Sequence, residues 1–375
     1  MKVEFLVKPA AAVVLIWLLG VSFSAHGAVA NPTLLRAKEE AETKGFIFET
    51  SRDEIVAKAK KEEKVRVLSA LEPEIFKPMI ESFKKKYPFI DVQIQEITGT
   101  EDTQRLLLEL NAGSVKDWDV VHAPDDFYSE LAGHARRFDI LGMAEQKVLT
   151  VNPKMVDPNL RAVVSIASSV GVVAYNKKRI GAEQVPNSLG DFLKPEFRGR
   201  KFLVDIRPHW MVALMPGLGQ EWVLDYARRI KEQQPVWIRG QTRGLVSIAN
   251  GEYAMDHLVN YHSCVRALRK NPTQSLACKV IEPVPVRFQE SGLVIKVAPH
   301  PYAALLFLEH EVSPEGQKVI DEYGPLKSHL HAGGEINKII QGKKTSINDY
   351  RTYHNSTKWI KMVLEAYGFP REETK

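Results

Sequence analysis

Short apolar runs and amphipathic stretches alternate along this chain, and this alternation is the strongest constraint on its fold. Val65–Leu68 and Gly171–Tyr175 are rich in apolar and β-branched residues, as buried strands are. Ile75–Tyr87 instead repeats apolar residues every three or four positions and ends in Lys84–Lys86, where cations suit the helix dipole. Because strands that alternate with helices form largely parallel sheets, the pattern predicts an α/β fold.

The same alternation continues on both sides of Gly171. The other predicted strands are Val92–Ile97, Asp119–His122, Lys201–Ile206, Tyr253–Leu258 and Gly292–Val297. The other predicted helices are Asp102–Asn111, Asp126–Ala132, Gln220–Gln233, Gly244–Ala249, Val259–Lys270, Tyr302–Glu309, Pro314–Tyr323 and Ser356–Tyr367. About 345 residues follow the first thirty, which is more than one hydrophobic core usually serves. We therefore expect two lobes.

The first thirty residues have the order of a secretory signal peptide. Lys2 and Lys8 flank a basic start, the apolar run Pro9–Val21 follows, and small residues lead to Ala28–Ala30. The apolar run has about 13 residues, fewer than the roughly 20 that a membrane-spanning helix needs. The sequence predicts cleavage near Asn31 and a soluble product exported to the periplasm, with an uncleaved anchor as the alternative.

Charge and cysteine content narrow the function further. The formal net charge is +5, which is too weakly basic to indicate nucleic acid as a partner. Cys264 and Cys278 are the two cysteines of the chain. A disulfide between them suits an oxidising compartment, and two separate buried thiols are the alternative. Their spacing does not form a zinc motif.

Polar residues follow several predicted strands and precede several predicted helices. In open α/β sheets, ligands bind beyond the carboxyl ends of the strands, so we expect these residues to line a cleft. The candidate ligand-binding residues are Ser69, Glu72, His122, Asp125, Ser169, Arg207, His209, Trp210, Arg239, Thr242, Arg243, Asn260, Tyr261 and His262.

Cations outnumber carboxylates in two of these loops, 207–210 and 239–243. Arginine can hold a carboxylate or phosphate at two points, and helix N-termini favour negative charge. The loops therefore predict a small anionic solute. Its donors would be Arg207, His209, Thr242 and Arg243, together with the hydroxyl of Tyr261.

Each candidate also has a structural interpretation. Arg207 could pair with Asp205, and Trp210 could pack within a lobe. Glu72 could cap the helix that begins near Ile75.

Six segments of the chain resemble, in order, the extracellular solute-binding proteins of ABC importers, in the branch that includes ferric-ion and polyamine binders. The segments are KAKKEEKVRVLSALEP (58–73), IESFKKKYPFIDV (80–92), VGVVAYN (170–176), FLKPEFRGRKFLVDIRP (192–208), IANGEYAM (248–255) and APHPYAALLFLEHEVSPEGQKVI (298–320). The resemblance implies a two-lobed, type 2 periplasmic-binding-protein fold with a ligand cleft at the hinge. It also implies an inner-membrane ABC permease as partner and no cofactor, and we expect a monomer.

The resemblance places chain crossings near Ser168–Tyr175 and Ile281–Arg287, the second of which is proline-punctuated and extended. The expected domains are a signal peptide (1–30), a charged, solvated helical leader (31–63), lobe 1 (64–170 with 287–325) and lobe 2 (171–286 with 326–375).

The ferric-ion binders use adjacent tyrosines at the start of one helix. The matching positions are Tyr261 and His262, a pair that could still ligate a metal. The first-loop position where such binders often place a ligand is occupied by Ser69 and its neighbours Ala70 and Leu71. Iron is therefore an alternative to the anionic solute.

Two further classes compete with a transport protein. An exported hydrolase would need a catalytic motif, but the sequence has neither a GxSxG elbow nor an HExxH zinc helix. Asp125, Asp205 and His122 could be arranged catalytically, yet their spacing does not require it. A sensor that presents its ligand to a membrane receptor would use the same fold. We expect a binding protein, not an enzyme.

Overall fold

The computed structural model describes residues 31–97, 99–124, 127–270 and 274–369. The predicted signal peptide and the candidate residue Asp125 lie outside these ranges. Among the described residues, no helix has the length and apolar character needed to cross a bilayer.

Helices and strands alternate as the sequence predicts. The α-helices are α1 (Pro32–Thr43), α2 (Arg52–Glu62), α3 (Phe76–Lys86), α4 (Gly99–Asn111), α5 (Tyr128–Ala132), α6 (Ile140–Glu145), α7 (His209–Leu218), α8 (Gln220–Glu232), α9 (Gln241–Ala249), α10 (Tyr261–Lys270), α11 (Pro301–Glu311), α12 (Pro314–Tyr323), α13 (Glu335–Ile340) and α14 (Ser356–Tyr367). The strands are β1 (Lys64–Ser69), β2 (Asp91–Glu96), β3 (Val120–Pro124), β4 (Val163–Ser165), β5 (Ser168–Asn176), β6 (Leu203–Asp205), β7 (Val236–Ile238), β8 (Met255–Asn260), β9 (Leu276–Lys279), β10 (Val284–Phe288), β11 (Glu290–Val294) and β12 (Thr345–Asn348).

The strands form two sheets. The first has the order β2-β1-β3-β11-β4, and the second has the order β12-β10-β5-β8-β6-β7, with β9 also paired to β5. We call the parts of the chain built on these sheets the first and second lobes. Both sheets are mixed, whereas the sequence predicts largely parallel ones. The antiparallel pairs involve β11 and β5, strands that run from or towards the other lobe.

The chain changes sheet at two places that lie side by side. It leaves the first sheet after β4, through residues 166–167, and returns between β10 and β11, at Gln289. Strands β5 and β10 are paired antiparallel next to these changes, with Val170 opposite Val286. A third passage between α12 and β12 brings the chain back to the second sheet. The lobe ranges expected from the sequence stay a prediction.

Close packing at this junction depends on Gly171. A Cβ atom there would lie 2.8 Å from Pro285 and 3.0 Å from the Trp210 ring. Glycine therefore allows β5, β10 and α7 to approach one another.

The segment before β1 differs from the solvated leader that the sequence suggests. It forms two helices, and Phe48, Ile55 and Ala59 are buried in the core of the first lobe. Glu62, at the end of α2, accepts hydrogen bonds from the backbone N–H groups of Tyr302 (3.0 Å) and Ala303 (2.7 Å), which start α11. Charged residues dominate this segment, so the sequence pattern does not reveal the few apolar residues that pack it against the first lobe.

A second difference concerns His209 and Trp210, which the sequence places in a loop. Both lie in the first turn of α7, a helix whose residues Trp210–Met215 are buried throughout. Because α7 is apolar on every side, it has no helical periodicity for a sequence pattern to detect.

A disulfide joins helix and strand in the second lobe. Cys264 of α10 and Cys278 of β9 are bonded, with Cα atoms 6.4 Å apart. Helix α10 is therefore covalently held to the sheet through β9, which pairs with β5.

We predict that replacing both cysteines, in Cys264→Ala/Cys278→Ala, lowers the free energy of unfolding by about 3 kcal/mol, because the bond closes a loop of roughly 15 residues. Urea denaturation of the wild type with and without reductant, and of the variant, measures this. Reductant should destabilise the wild type and leave the variant unchanged. Equal stability of oxidised wild type and variant would contradict the prediction.

Candidate ligand site

Two candidate residues of the first lobe, Ser69 and His122, form a buried network. Ser69 Oγ lies 2.9 Å from His122 Nδ1, and His122 Nε2 lies 3.1 Å from Glu311 Oε2. The backbone N–H of Leu71 donates to Ser69 Oγ at 3.2 Å. This is the residue set of a hydrolase triad, but Ser69 is only 1% exposed. The network joins β1, β3 and α11, and a nucleophile buried this deeply has no access to substrate.

Glu72, the next candidate along the chain, contacts the other lobe. Its Oε2 accepts a short hydrogen bond from Arg266 Nη1 of α10. Glu72 also stands at the start of the 3-10 turn Pro73–Ile75, but its side chain does not cap that turn. The capping role considered from the sequence is therefore not the one observed.

In the second lobe, Ser169 and His262 are brought together. Ser169 Oγ lies 3.1 Å from His262 Nδ1, and both side chains are buried. Burial, with a smaller effect of Arg266, lowers the pKa of His262 to about 3. The imidazole is therefore neutral near pH 7 and ties the start of α10 to β5.

Tyr261 has a different partner from its neighbour His262. Its hydroxyl donates to Glu335 Oε1 at 3.1 Å. Burial and this carboxylate raise the pKa of Tyr261 to about 12, which disfavours the phenolate that iron requires. Within the described ranges, no group of three or more His, Cys, Asp or Glu side chains is arranged to hold a metal ion.

Two of the cationic candidates, Arg207 and Arg239, follow the paired strands β6 and β7. Arg207 Nη2 donates to Asp205 Oδ2 at 2.9 Å, which is the ion pair considered from the sequence. Arg239, Thr242 and Arg243 are exposed at and just before the start of α9. Thr242 lines a groove with Glu72.

A cavity of about 380 Å³ lies between the lobes. Its first-lobe wall comes from α5 and residues 157–160, and its second-lobe wall from α7, β10, β12 and α14. The lining side chains that matter for the chemistry are Tyr128, Asp157, His209, Arg287, Tyr350 and Tyr353. Its volume lies in the range of small-molecule sites.

Arg287 is the buried cation of this cavity, and the sequence analysis missed it. It is 5% exposed, and its guanidinium lies 5.0 Å from the centroid of the Trp210 ring. Its Nη2 donates to Asn260 Oδ1 at 3.4 Å and its Nη1 to Phe288 O at 3.3 Å. Trp210 and Asn260, both candidates from the sequence, thus contact Arg287. An arginine in the otherwise apolar strand VPVRF was the available signal.

Burial decides the electrostatics of Arg287. Desolvation lowers its pKa from 12.5 to about 10, outweighing the opposing effects of Tyr353 and Glu290. The guanidinium therefore stays protonated at neutral pH but in an environment that solvates it poorly. A negative group entering the cavity would be stabilised there.

The facing wall carries a carboxylate that the protein itself satisfies. Asp157 Oδ1 accepts from the backbone N–H groups of Asn159 (2.7 Å) and Leu160 (3.0 Å), and Oδ2 accepts a short bond from the Tyr128 hydroxyl. The Tyr128 ring meets Tyr353 edge to face, with centroids 4.8 Å apart. This wall is therefore aromatic and pre-organised.

Comparison with known proteins identifies the family. The sequence profile of the bacterial extracellular solute-binding proteins matches residues 78–328, about two thirds of the chain. The chain belongs to this family. It is the solute-binding component of an ABC transporter. No curated protein sequence matches the chain.

Solved structures of such binding proteins share the fold. Iron-bound HitA from Pseudomonas aeruginosa is 17% identical, with a TM-score of 0.58 over 81% of this chain and 99% of HitA. The substrate-binding protein of an Agrobacterium tumefaciens ABC transporter is 17% identical, with a TM-score of 0.61 over 81% and 95%. Open Mannheimia haemolytica ferric iron-binding protein A is also 17% identical, with a TM-score of 0.61 over 81% and 98%. The two-lobed periplasmic-binding-protein fold is thereby confirmed.

The buried side chain of His262 predicts a pH dependence of stability for this solute-binding protein. Since the pKa of His262 is about 3 in the folded protein and near 6.5 in the unfolded chain, only the unfolded chain takes up a proton between these values. Stability should therefore fall as the pH drops below about 6.5. We predict that His262→Asn, which keeps a hydrogen-bonding group, reduces the loss between pH 7 and pH 5 by about 2 kcal/mol.

Urea denaturation at both pH values measures this difference. Identical losses in wild type and variant would show that His262 titrates normally in the folded protein.

Proposed function

We propose that this binding protein is exported to the periplasm and captures a small solute bearing a carboxylate or another oxyanion. The solute would occupy the cavity lined by Arg287 and His209 and pass unchanged to an inner-membrane permease. Export is supported by the family and by the order of residues in the first thirty positions. Transport without catalysis is supported by the family and by the inaccessibility of Ser69.

The observation that carries the proposal is Arg287. It is a buried, protonated cation on the wall of the cavity, and Trp210 and Asn260 hold it in one orientation. A planar guanidinium binds a carboxylate or phosphate at two points, and the low dielectric of the interior strengthens that contact. His209, at the start of α7, is a second donor on the same wall.

This proposal keeps the anionic solute expected from the sequence but changes the residues that bind it. Of the five donors expected there, His209 alone lines the cavity. Arg207 is engaged by Asp205, and Tyr261 by Glu335. Their direct roles in binding stay predictions, whereas Arg287 takes the central position.

Capture would follow the movement of the two lobes. The cavity has one wall in each lobe, so a solute that touches both walls binds the closed arrangement better than the open one. It therefore shifts the population towards closure.

A thermal-shift screen with oxyanions, amines and neutral sugars tests the solute class. A solute that binds only the folded protein raises its melting temperature. We expect the positive compounds to be oxyanions, and Arg287→Gln to weaken their binding by about 2–5 kcal/mol in calorimetry. Arg287→Lys keeps the charge but not the planar guanidinium, so its affinity should lie between those of the wild type and Arg287→Gln.

Arg228→Gln, which removes an exposed cation of α8, is the matched control and should keep wild-type affinity. Urea denaturation verifies that the Arg287 variants are folded. Positive compounds confined to amines or sugars, or oxyanion binding that survives Arg287→Gln, would refute the proposal.

The structure also makes a prediction about iron. Binding by Tyr261 and His262 would require Tyr261 to leave Glu335 and lose a proton from a group of pKa about 12. We predict that ferric citrate produces no visible tyrosinate charge-transfer band at neutral pH. Absorption spectroscopy of wild type and Tyr261→Phe checks this, and a band present in the wild type but absent from the variant would support iron as the solute.

A further inference from the structure

Charges of opposite sign face each other across the cleft, on the side that carries Glu72. They line two adjoining grooves of about 590 Å³ and about 140 Å³. The first lobe contributes the acidic side chains and α10 of the second lobe contributes the basic ones. The acidic residues are Glu72, Glu74 and Glu96, and the basic residues are Arg266, Arg269 and Lys270.

One pair within this arrangement is already in direct contact. Arg266 Nη1 donates to Glu72 Oε2, and the two side chains are 36% and 13% exposed. Among the ion pairs of the described residues, this one joins elements of different lobes. A neighbouring contact also joins α10 to the first lobe: Arg269 Nη1 donates to the carbonyl oxygen of Tyr323, at the end of α12, at 3.4 Å.

Both partners of the pair stand on rigid supports. Helix α10 is fixed to the second sheet by the Cys264–Cys278 bond and by the contact between His262 and Ser169. Glu72 lies between the end of β1 and a 3-10 turn whose Ile75 is fully buried. A movement of one lobe relative to the other therefore has to stretch or break this contact.

We infer that Glu72 and Arg266 form an electrostatic latch that holds the lobes closed without a solute. Glu72 is then a positioning residue for capture and not a ligand contact. The latch raises the apparent affinity for any solute that binds the closed form, because it increases the fraction of molecules that are competent to bind. Partial exposure of the pair makes the latch sensitive to salt, which screens charges over about 10 Å at 0.1 M.

Distance measurements between labelled lobes test this inference without a solute. The two native cysteines are bonded to each other, so cysteines introduced by Lys77→Cys on α3 and Glu232→Cys on α8 can be spin-labelled selectively. Both positions are exposed, one in each lobe. Pulsed electron–electron double resonance then measures the distances between the two labels. The ratio of short to long distances reports the ratio of closed to open molecules.

We expect Glu72→Gln to lower the closed-to-open ratio about two- to fivefold, the range for a partly exposed ion pair. Raising the salt concentration from about 20 to about 500 mM screens exposed charges more strongly. The higher salt should therefore lower the closed-to-open ratio of the wild type more than that of Glu72→Gln. The exchanged pair Glu72→Arg/Arg266→Glu should recover the wild-type ratio. Glu40→Gln, which removes an ion pair within α1, should not change it.

A purely structural role would lower thermal stability without changing the distance distribution, so melting curves of all variants are recorded alongside. Unchanged distances in Glu72→Gln, or a failure of the exchanged pair to restore the ratio, overturns the latch. Because no solute is added, this result is independent of whether Arg287 binds an oxyanion.

Discussion

The antiparallel pairing of β5 with β10 is the constraint on which the remaining architecture depends. Each strand is joined by at most two residues to a strand of the first sheet. The register of this pair therefore fixes where one lobe begins relative to the other. The same strand pair positions residues of the candidate site, because Ser169 and Arg287 lie opposite each other in its register. Ser169 contacts His262, and Arg287 lines the cavity.

Buried polar contacts then divide the cleft into regions with different tasks. The Ser69–His122–Glu311 network stiffens the end of the first sheet, and the pair Ser169–His262 does the same in the second lobe. Polar groups left unpaired in a protein interior are costly, so these side chains bond to each other. Arg287 differs, because its supporting contacts orient it on the wall of a cavity large enough for a solute.

Much of the fold could be predicted from the sequence, since amphipathic helices such as α3, α8 and α14 carry a clear period. Helix α12 has the bounds that the sequence predicts, Pro314–Tyr323, and the side chain of Ser313 caps its start. Helix α7 could not be found in this way, because a wholly buried helix has no polar face. The sequence pattern of residues 31–63 was also incomplete, since charged positions outnumber the few apolar ones that pack α1 and α2 against the first lobe.

The site was less predictable than the fold. Among the candidates chosen by their position after predicted strands, Glu72, His209 and His262 line cavities or grooves of the structure. Which partner each side chain chooses depends on contacts between distant segments, and a local pattern does not contain them. Arg207 donates a hydrogen bond to Asp205, Tyr261 donates to Glu335, and Arg266 donates to Glu72. Arg287 was missed because its strand was interpreted as a connection.

The discontinuity of the first lobe has a consequence for the order in which the protein folds. Strand β11 and helices α11 and α12 complete the sheet and core of the first lobe. In the chain, however, they come after β10, a strand of the second sheet. During synthesis, β3 consequently has an unpaired edge until more than 160 further residues have emerged. Non-local pairing of this kind slows folding and leaves intermediates prone to aggregation. Strands β5 to β10 of the second sheet are nearly contiguous in the chain, so they can pair before β11 emerges. Strand β10 then leads directly into β11, the strand that completes the first sheet, and β12 and α14 join the second lobe last.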